Sequence, residues 1–131
     1  MTLRRTLAGI AASLSLIAAA SAAAIPAQAA TSDCGTGKAC LWVTRDYVGL
    51  PDGWFYQSLS TLGNLNDRAL SIANYGRTSI AGFYEHSNFG GKVIFLNIPA
   101  RGGQWRDPSL RNGTDASNEN WANRISSARF V

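Results

Sequence analysis

Histidine is almost missing from this chain: among 131 residues only His86 is present. A nucleophile, a base and an orienting acid cannot be assembled from spacing around it, so catalysis of that kind finds no support and a non-enzymatic role is expected. Cysteine is nearly as scarce. Cys34 and Cys40 stand alone, and with His86 far away in sequence no further ligands at metal-site spacing accompany them. There is no dense basic patch either, because the arginines are scattered from Arg45 to Arg129. A nucleic-acid partner is therefore excluded. Past the first thirty residues no stretch keeps an apolar period of 3.6 over ten or more positions, so no long helix is expected.

Residues 1–30 read as an export signal. Arg4 and Arg5 form the positive start, an apolar run covers 7–20, and Pro26-Ala27-Gln28-Ala29-Ala30 supplies a small-residue cleavage site. The run is shorter than the ~20 residues of a membrane span, so no membrane attachment is expected after cleavage. The Arg4-Arg5 pair does not by itself set the export route. Removing it leaves ten basic against eight acidic side chains, a net +2 in place of +4. The remaining 31–131 makes one domain of common size. In an exported chain the two cysteines are expected to form a disulfide, closing a short loop worth ~2 to 2.5 kcal/mol by chain entropy.

What organises the rest is a repeated motif. Tyr84-Glu-His-Ser-Asn-Phe89-Gly-Gly91 and Trp42-Val-Thr-Arg-Asp-Tyr47-Val-Gly49 share the order aromatic, four residues, aromatic, one residue, glycine, at an offset of 42. Gly49 and Gly91 stand where a folded-over hairpin needs positive φ. Trp42 and Tyr84 can lie over that hairpin, and Ser71 and Ser127 can bond backbone groups that it leaves unpaired. Short β-prone runs at 39–44, 54–57, 69–74, 79–85, 92–97 and 125–131 are separated by turn signals, which predicts an all-β sandwich or barrel. The run at 92–97 is apolar at successive positions, so cover on both sides is expected. Residues 58–66 read as a polar loop with one helical turn, and 99–120 as a long irregular loop.

The doubled motif resembles the Greek-key signature of the βγ-crystallin fold. The resemblance extends to Asn66-Asp67-Arg68-Ala69-Leu70-Ser71 and Ala122-Asn123-Arg124-Ile125-Ser126-Ser127, which end the two halves. It implies a duplicated sandwich with Greek key one at about 39–75 and Greek key two at about 79–131. More narrowly, the export signal, the Cys34 and Cys40 pair followed by Leu41-Trp42, the Tyr47-x-Gly49 turn and the Ser71-Ile72-Ala73-Asn74 run are similar to the bacterial secreted peptidase inhibitor family typified by the Streptomyces metalloproteinase inhibitor. That resemblance implies a secreted, monomeric inhibitor of a metallo- or serine endopeptidase. An extracellular structural or calcium-binding module of the same fold is the alternative.

An inhibitor would offer its target a stiff, substrate-like loop. The interval from Tyr84 to Ser127 exceeds that from Trp42 to Ser71 by 14 residues, which marks 99–120 as an insertion and the candidate protease-contact loop. There Trp105 and Leu110 would fill apolar pockets, and Arg101, Arg106 and Arg111 would suit an acidic one. No cofactor is required. Calcium binding in this fold follows N/D-N/D-x-x-S/T-S, and both copies are degraded here: Leu70 stands at the fifth position of the first and Ala122 at the first position of the second. Asn66, Asp67, Asn123 and Ser126 leave weak binding open. Asn112-Gly113-Thr114 fits a glycosylation pattern, which is equally that of a turn.

Overall fold

The computed structural model describes residues 31–131; the expected export signal lies outside them. The strands are β1 (Ala39–Trp42), β2 (Gly53–Phe55), β3 (Ser58–Leu59), β4 (Ser71–Asn74), β5 (Ala81–His86), β6 (Gly90–Leu96), β7 (Arg106–Asp107) and β8 (Ser127–Phe130), joined by short 3-10 turns. They form two four-stranded antiparallel sheets, in the orders β2-β1-β4-β7 and β3-β8-β5-β6. Each half thus sends one strand into the other half's sheet: β3 leaves the first half and β7 the second. Neither sheet is complete without both.

Strand alternation sorts the side chains. On β1, Ala39 and Leu41 face the main core, while Cys40 and Trp42 face a second apolar cluster behind the first sheet. The main core joins Leu41, Phe55 and Ile72 of the first sheet to Phe83, Ile94, Leu96 and Ala128 of the second. Edge-on packing of Phe55 against Phe83, ring centroids 6.0 Å apart, joins the two faces. The second cluster gathers Trp42, Tyr47, Ala73 and the Cys34–Cys40 disulfide. Buried Asn74 is fully satisfied: its amide nitrogen donates to Ser79 O and Leu96 O, and its oxygen accepts from Gly76 N, fastening the segment between the halves.

Three expectations are corrected. β6 is not covered on both sides; it is the edge strand of its sheet, with Ile94 and Leu96 inward and Phe95 52% exposed. The 58–66 stretch is not only a loop, since Ser58–Leu59 pairs with β8 before the 3-10 turn Gly63–Leu65. The 99–120 stretch is not wholly irregular, because Arg106–Asp107 pairs with β4. Two-residue strands such as these carry too little periodicity to be read before their partners are known.

The two folded hairpins match in detail. Ser71 Oγ donates to Thr44 O at 2.7 Å and accepts from Tyr47 N at 3.3 Å; Ser127 Oγ donates to His86 O at 2.6 Å and accepts from Phe89 N at 2.9 Å. Asp46 and Tyr47 take φ of 57° and 56°, Asn88 and Phe89 of 57° and 62°. Gly49 and Gly91 follow at φ 83° and 75°, and a Cβ on Gly91 would also lie 2.6 Å from His86 Cδ2. Trp42 meets Tyr47 edge-on at 5.2 Å and Tyr84 meets Phe89 at 5.7 Å.

Ser71→Ala leaves Thr44 O and Tyr47 N without their side-chain partner, and Ser127→Ala does the same to His86 O and Phe89 N. Each substitution is expected to lower unfolding free energy by about 1–3 kcal/mol. Urea denaturation measures this, and the two losses should be of similar size.

Candidate functional site

The 99–120 loop is tied to the body by backbone and side-chain bonds rather than by a disulfide. Asn97 N donates to Gln104 O, Asn74 N to Trp105 O, Asp46 N to Pro108 O and Leu110 N to Leu70 O, all at 2.8–3.0 Å. Asp107 is buried, and its carboxylate accepts from Ser109 N at 2.9 Å and Ala116 N at 3.2 Å. Burial pushes the Asp107 pKa up, and those two backbone N–H groups oppose the shift. The sequence carried a signal for this anchor in Asp107-Pro108-Ser109, an Asx-turn pattern.

These ties decide which side chains the loop presents. Arg101, Arg106 and Arg111 are exposed. Leu110, expected to fill a partner's pocket, is instead 1% exposed within the main core, drawn inward by the Leu110 N to Leu70 O and Trp121 N to Leu110 O bonds. Trp105 is half-buried, edge-on to Tyr75 at 5.2 Å, with the Arg106 guanidinium 4.7 Å from its ring. It is packing rather than a free anchor. The Asn112 carboxamide oxygen accepts from Thr114 N at 2.9 Å, an Asx turn. At the far end of the loop Glu119 pairs with Lys92 and Arg124, whose cations hold its carboxylate below the usual range.

The residues read from the degraded calcium pattern come together in part. Asp67 and Asn123 both take positive φ, 56° and 60°. Ser126 Oγ donates to Asp67 Oδ1 at 3.1 Å across the two halves, and Asn66 Nδ2 donates to Asp67 Oδ2 at 3.0 Å. Asn123 is attached through its backbone N–H, which donates to Ala69 O. Among the described residues no group of three or more His, Cys, Asp or Glu side chains is placed to hold a metal ion.

A second surface was not singled out from the sequence. Val48, Leu50, Trp54 and Tyr56 are exposed by 57%, 76%, 49% and 58%, four large apolar side chains within nine residues. In sequence they looked like an ordinary turn and strand, since which face of β2 and which side of the turn meet a core is set by packing: none of the four belongs to either apolar cluster. Tyr47, beside them, is buried, and burial raises its pKa.

Comparison with known proteins agrees with this architecture. The model of peptidase inhibitor family I36 matches residues 27–96, just over half of the chain. No curated protein matches it. Among solved structures, a βγ-crystallin from an archaeon is 22% identical at a TM-score of 0.53, covering 73% of this chain and 99% of that one. A βγ-crystallin from Ciona intestinalis is 20% identical at 0.54, covering 72% and 100%. A βγ-crystallin domain from Flavobacterium johnsoniae is 20% identical at 0.51, covering 72% and 93%. At such identities the likeness concerns the fold, which is that of a βγ-crystallin: two Greek-key motifs, duplicated.

If Leu110 anchors the loop rather than contacting a partner, Leu110→Ala should cost about 2–5 kcal/mol of stability. Arg111→Ala, at an exposed neighbour, should stay within about 0.5 kcal/mol. Chemical denaturation of both variants distinguishes anchor from contact.

Proposed function

This chain belongs to peptidase inhibitor family I36, and we propose that it is a secreted, monomeric protein that blocks an extracellular metallo- or serine endopeptidase by binding it, with no turnover of its own. The observation that carries the reading is the family match over 27–96. That span includes the Cys34–Cys40 disulfide and both folded hairpins. The backbone bonds that tie the 99–120 loop to the body support it further, because a loop already held in place loses little entropy on binding. The charged start, the apolar run and the small-residue site of 1–30 support export. Among the described residues no helix is long and apolar enough to cross a membrane.

Inhibition is tested by titrating the protein, recovered from the medium of an exporting host, against thermolysin-like and subtilisin-like endopeptidases. The expected outcome is saturable loss of activity against at least one of them. If all remain fully active at micromolar protein, the inhibitor reading fails.

A second reading, weak calcium binding, draws on the Asp67 and Ser126 pair that bridges the halves. Asp67 already accepts bonds from Ser126 and Asn66, which a cation would have to displace. Calorimetry with calcium chloride is therefore expected to give a Kd no tighter than about 10⁻⁴ M.

A further inference from the structure

We propose that the peptidase is engaged by the first folded hairpin and the edge strand that follows it, with Leu50 entering the enzyme's primary specificity pocket and Trp54 and Tyr56 flanking it. The inference rests on the inhibitor reading and assigns that reading its contact surface and the class of enzyme it suits.

Leu50 is 76% exposed, the most exposed of the large apolar side chains among the described residues. It belongs to neither apolar cluster of the chain, and with Val48, Trp54 and Tyr56 it forms an apolar surface that a partner's apolar pocket would cover. The backbone around it is fixed on both sides. Before it, the Trp42 indole N–H donates to Gly49 O at 3.1 Å and the Thr44 hydroxyl to Val48 O at 2.8 Å. After it, Asp52 N donates to Leu41 O at 3.0 Å, and the Asp52 carboxylate accepts from Val43 N at 2.8 Å. Leu50 therefore projects from a short arch whose feet are bonded to β1 and to the two residues that follow it, and those bonds would persist if the arch were cut. Pro51 follows, so the peptide bond after Leu50 lacks the N–H that an ordinary bond carries.

The flanking strand fits the same use. β2 has a partner only on its β1 side, which leaves its outer edge open to an extended segment of another protein. Trp54 and Tyr56 stand edge-on, 5.5 Å between ring centroids, with the Lys38 ammonium 4.3 Å from the Trp54 ring. Held this way, they are large contact surfaces with little rotamer freedom left to lose.

Two observations favour this surface over the 99–120 loop. The family match at 27–96 contains all of 48–56 and none of 99–120. The chemistry also differs: the later loop exposes arginines, suited to an acidic pocket, while 48–56 exposes apolar side chains. The target is then an endopeptidase with an apolar primary pocket, not one with a carboxylate at its base.

The test uses the secreted full-length product against a panel containing apolar-pocket and acidic-pocket endopeptidases. Wild type should inhibit members of the first kind and spare the second. Leu50→Arg should raise the inhibition constant at least about 30-fold, and Trp54→Ala about tenfold. Leu50→Met should stay within about threefold, and the Arg101→Ala/Arg111→Ala double variant within about twofold. Unchanged melting temperatures confirm that the Leu50 variants remain folded. Wild-type inhibition that Leu50→Arg leaves within twofold, or that the double arginine variant abolishes, overturns this inference and leaves the inhibitor reading standing. Absence of inhibition by wild type overturns both.

Discussion

The hydroxyls of Ser71 and Ser127 each bond two backbone groups of a folded hairpin, one carbonyl and one amide. A hairpin folded back over its own sheet turns its carbonyl and amide groups away from the ladder, and left unpaired in the interior such groups oppose the fold. One serine on the neighbouring strand takes both. With the hairpin held down, the aromatic pairs Trp42 with Tyr47 and Tyr84 with Phe89 come edge to edge. On the first sheet this places Trp42 against the Cys34–Cys40 disulfide, so the N-terminal arm is secured to the same structure. The positive φ values at Asp46, Tyr47, Asn88 and Phe89 are local costs that this closure must hold in place.

Much of the fold was legible because its organising signal is repeated. One aromatic-glycine pair means little in a sequence, but two at the same spacing, each followed by an Arg and a Ser in matching places, define a duplicated unit. The short β-prone runs that became β1, β4 and β5 also read directly as strands. The exchanged strands β3 and β7 did not, because two residues in a polar context have no periodicity, and their pairing is set by partners far away in the chain. β6 misled for a related reason. Consecutive apolar residues usually mean burial on both faces, yet this strand is an edge, and Phe95 stays in water.

The site was less legible than the fold. Length and composition drew attention to 99–120, and Leu110 and Trp105 within it are apolar, as a contact residue would be. Apolar character alone does not separate an anchor from a contact. The separation comes from backbone bonds such as Leu110 N to Leu70 O, which turn the side chain toward the core. Conversely, Leu50-Pro51-Asp52 falls among the turn signals between the first two runs and does connect β1 to β2. The unexpected part is that Trp42, Thr44 and Asp52 fix the turn's backbone while leaving its largest side chain outside.

The reciprocal exchange of β3 and β7 bears on survival beside a protein-cutting enzyme. A peptidase needs a flexible length of chain to thread into its cleft, so a folded protein is cut mainly through its partial openings. In a molecule whose halves closed separately, either could fray and be digested while the other stayed intact. Here, releasing β3 strips the second sheet of an edge, and releasing β7 does the same to the first. Unfolding either half therefore also removes an edge strand from the other half's sheet, which couples the larger openings of the two.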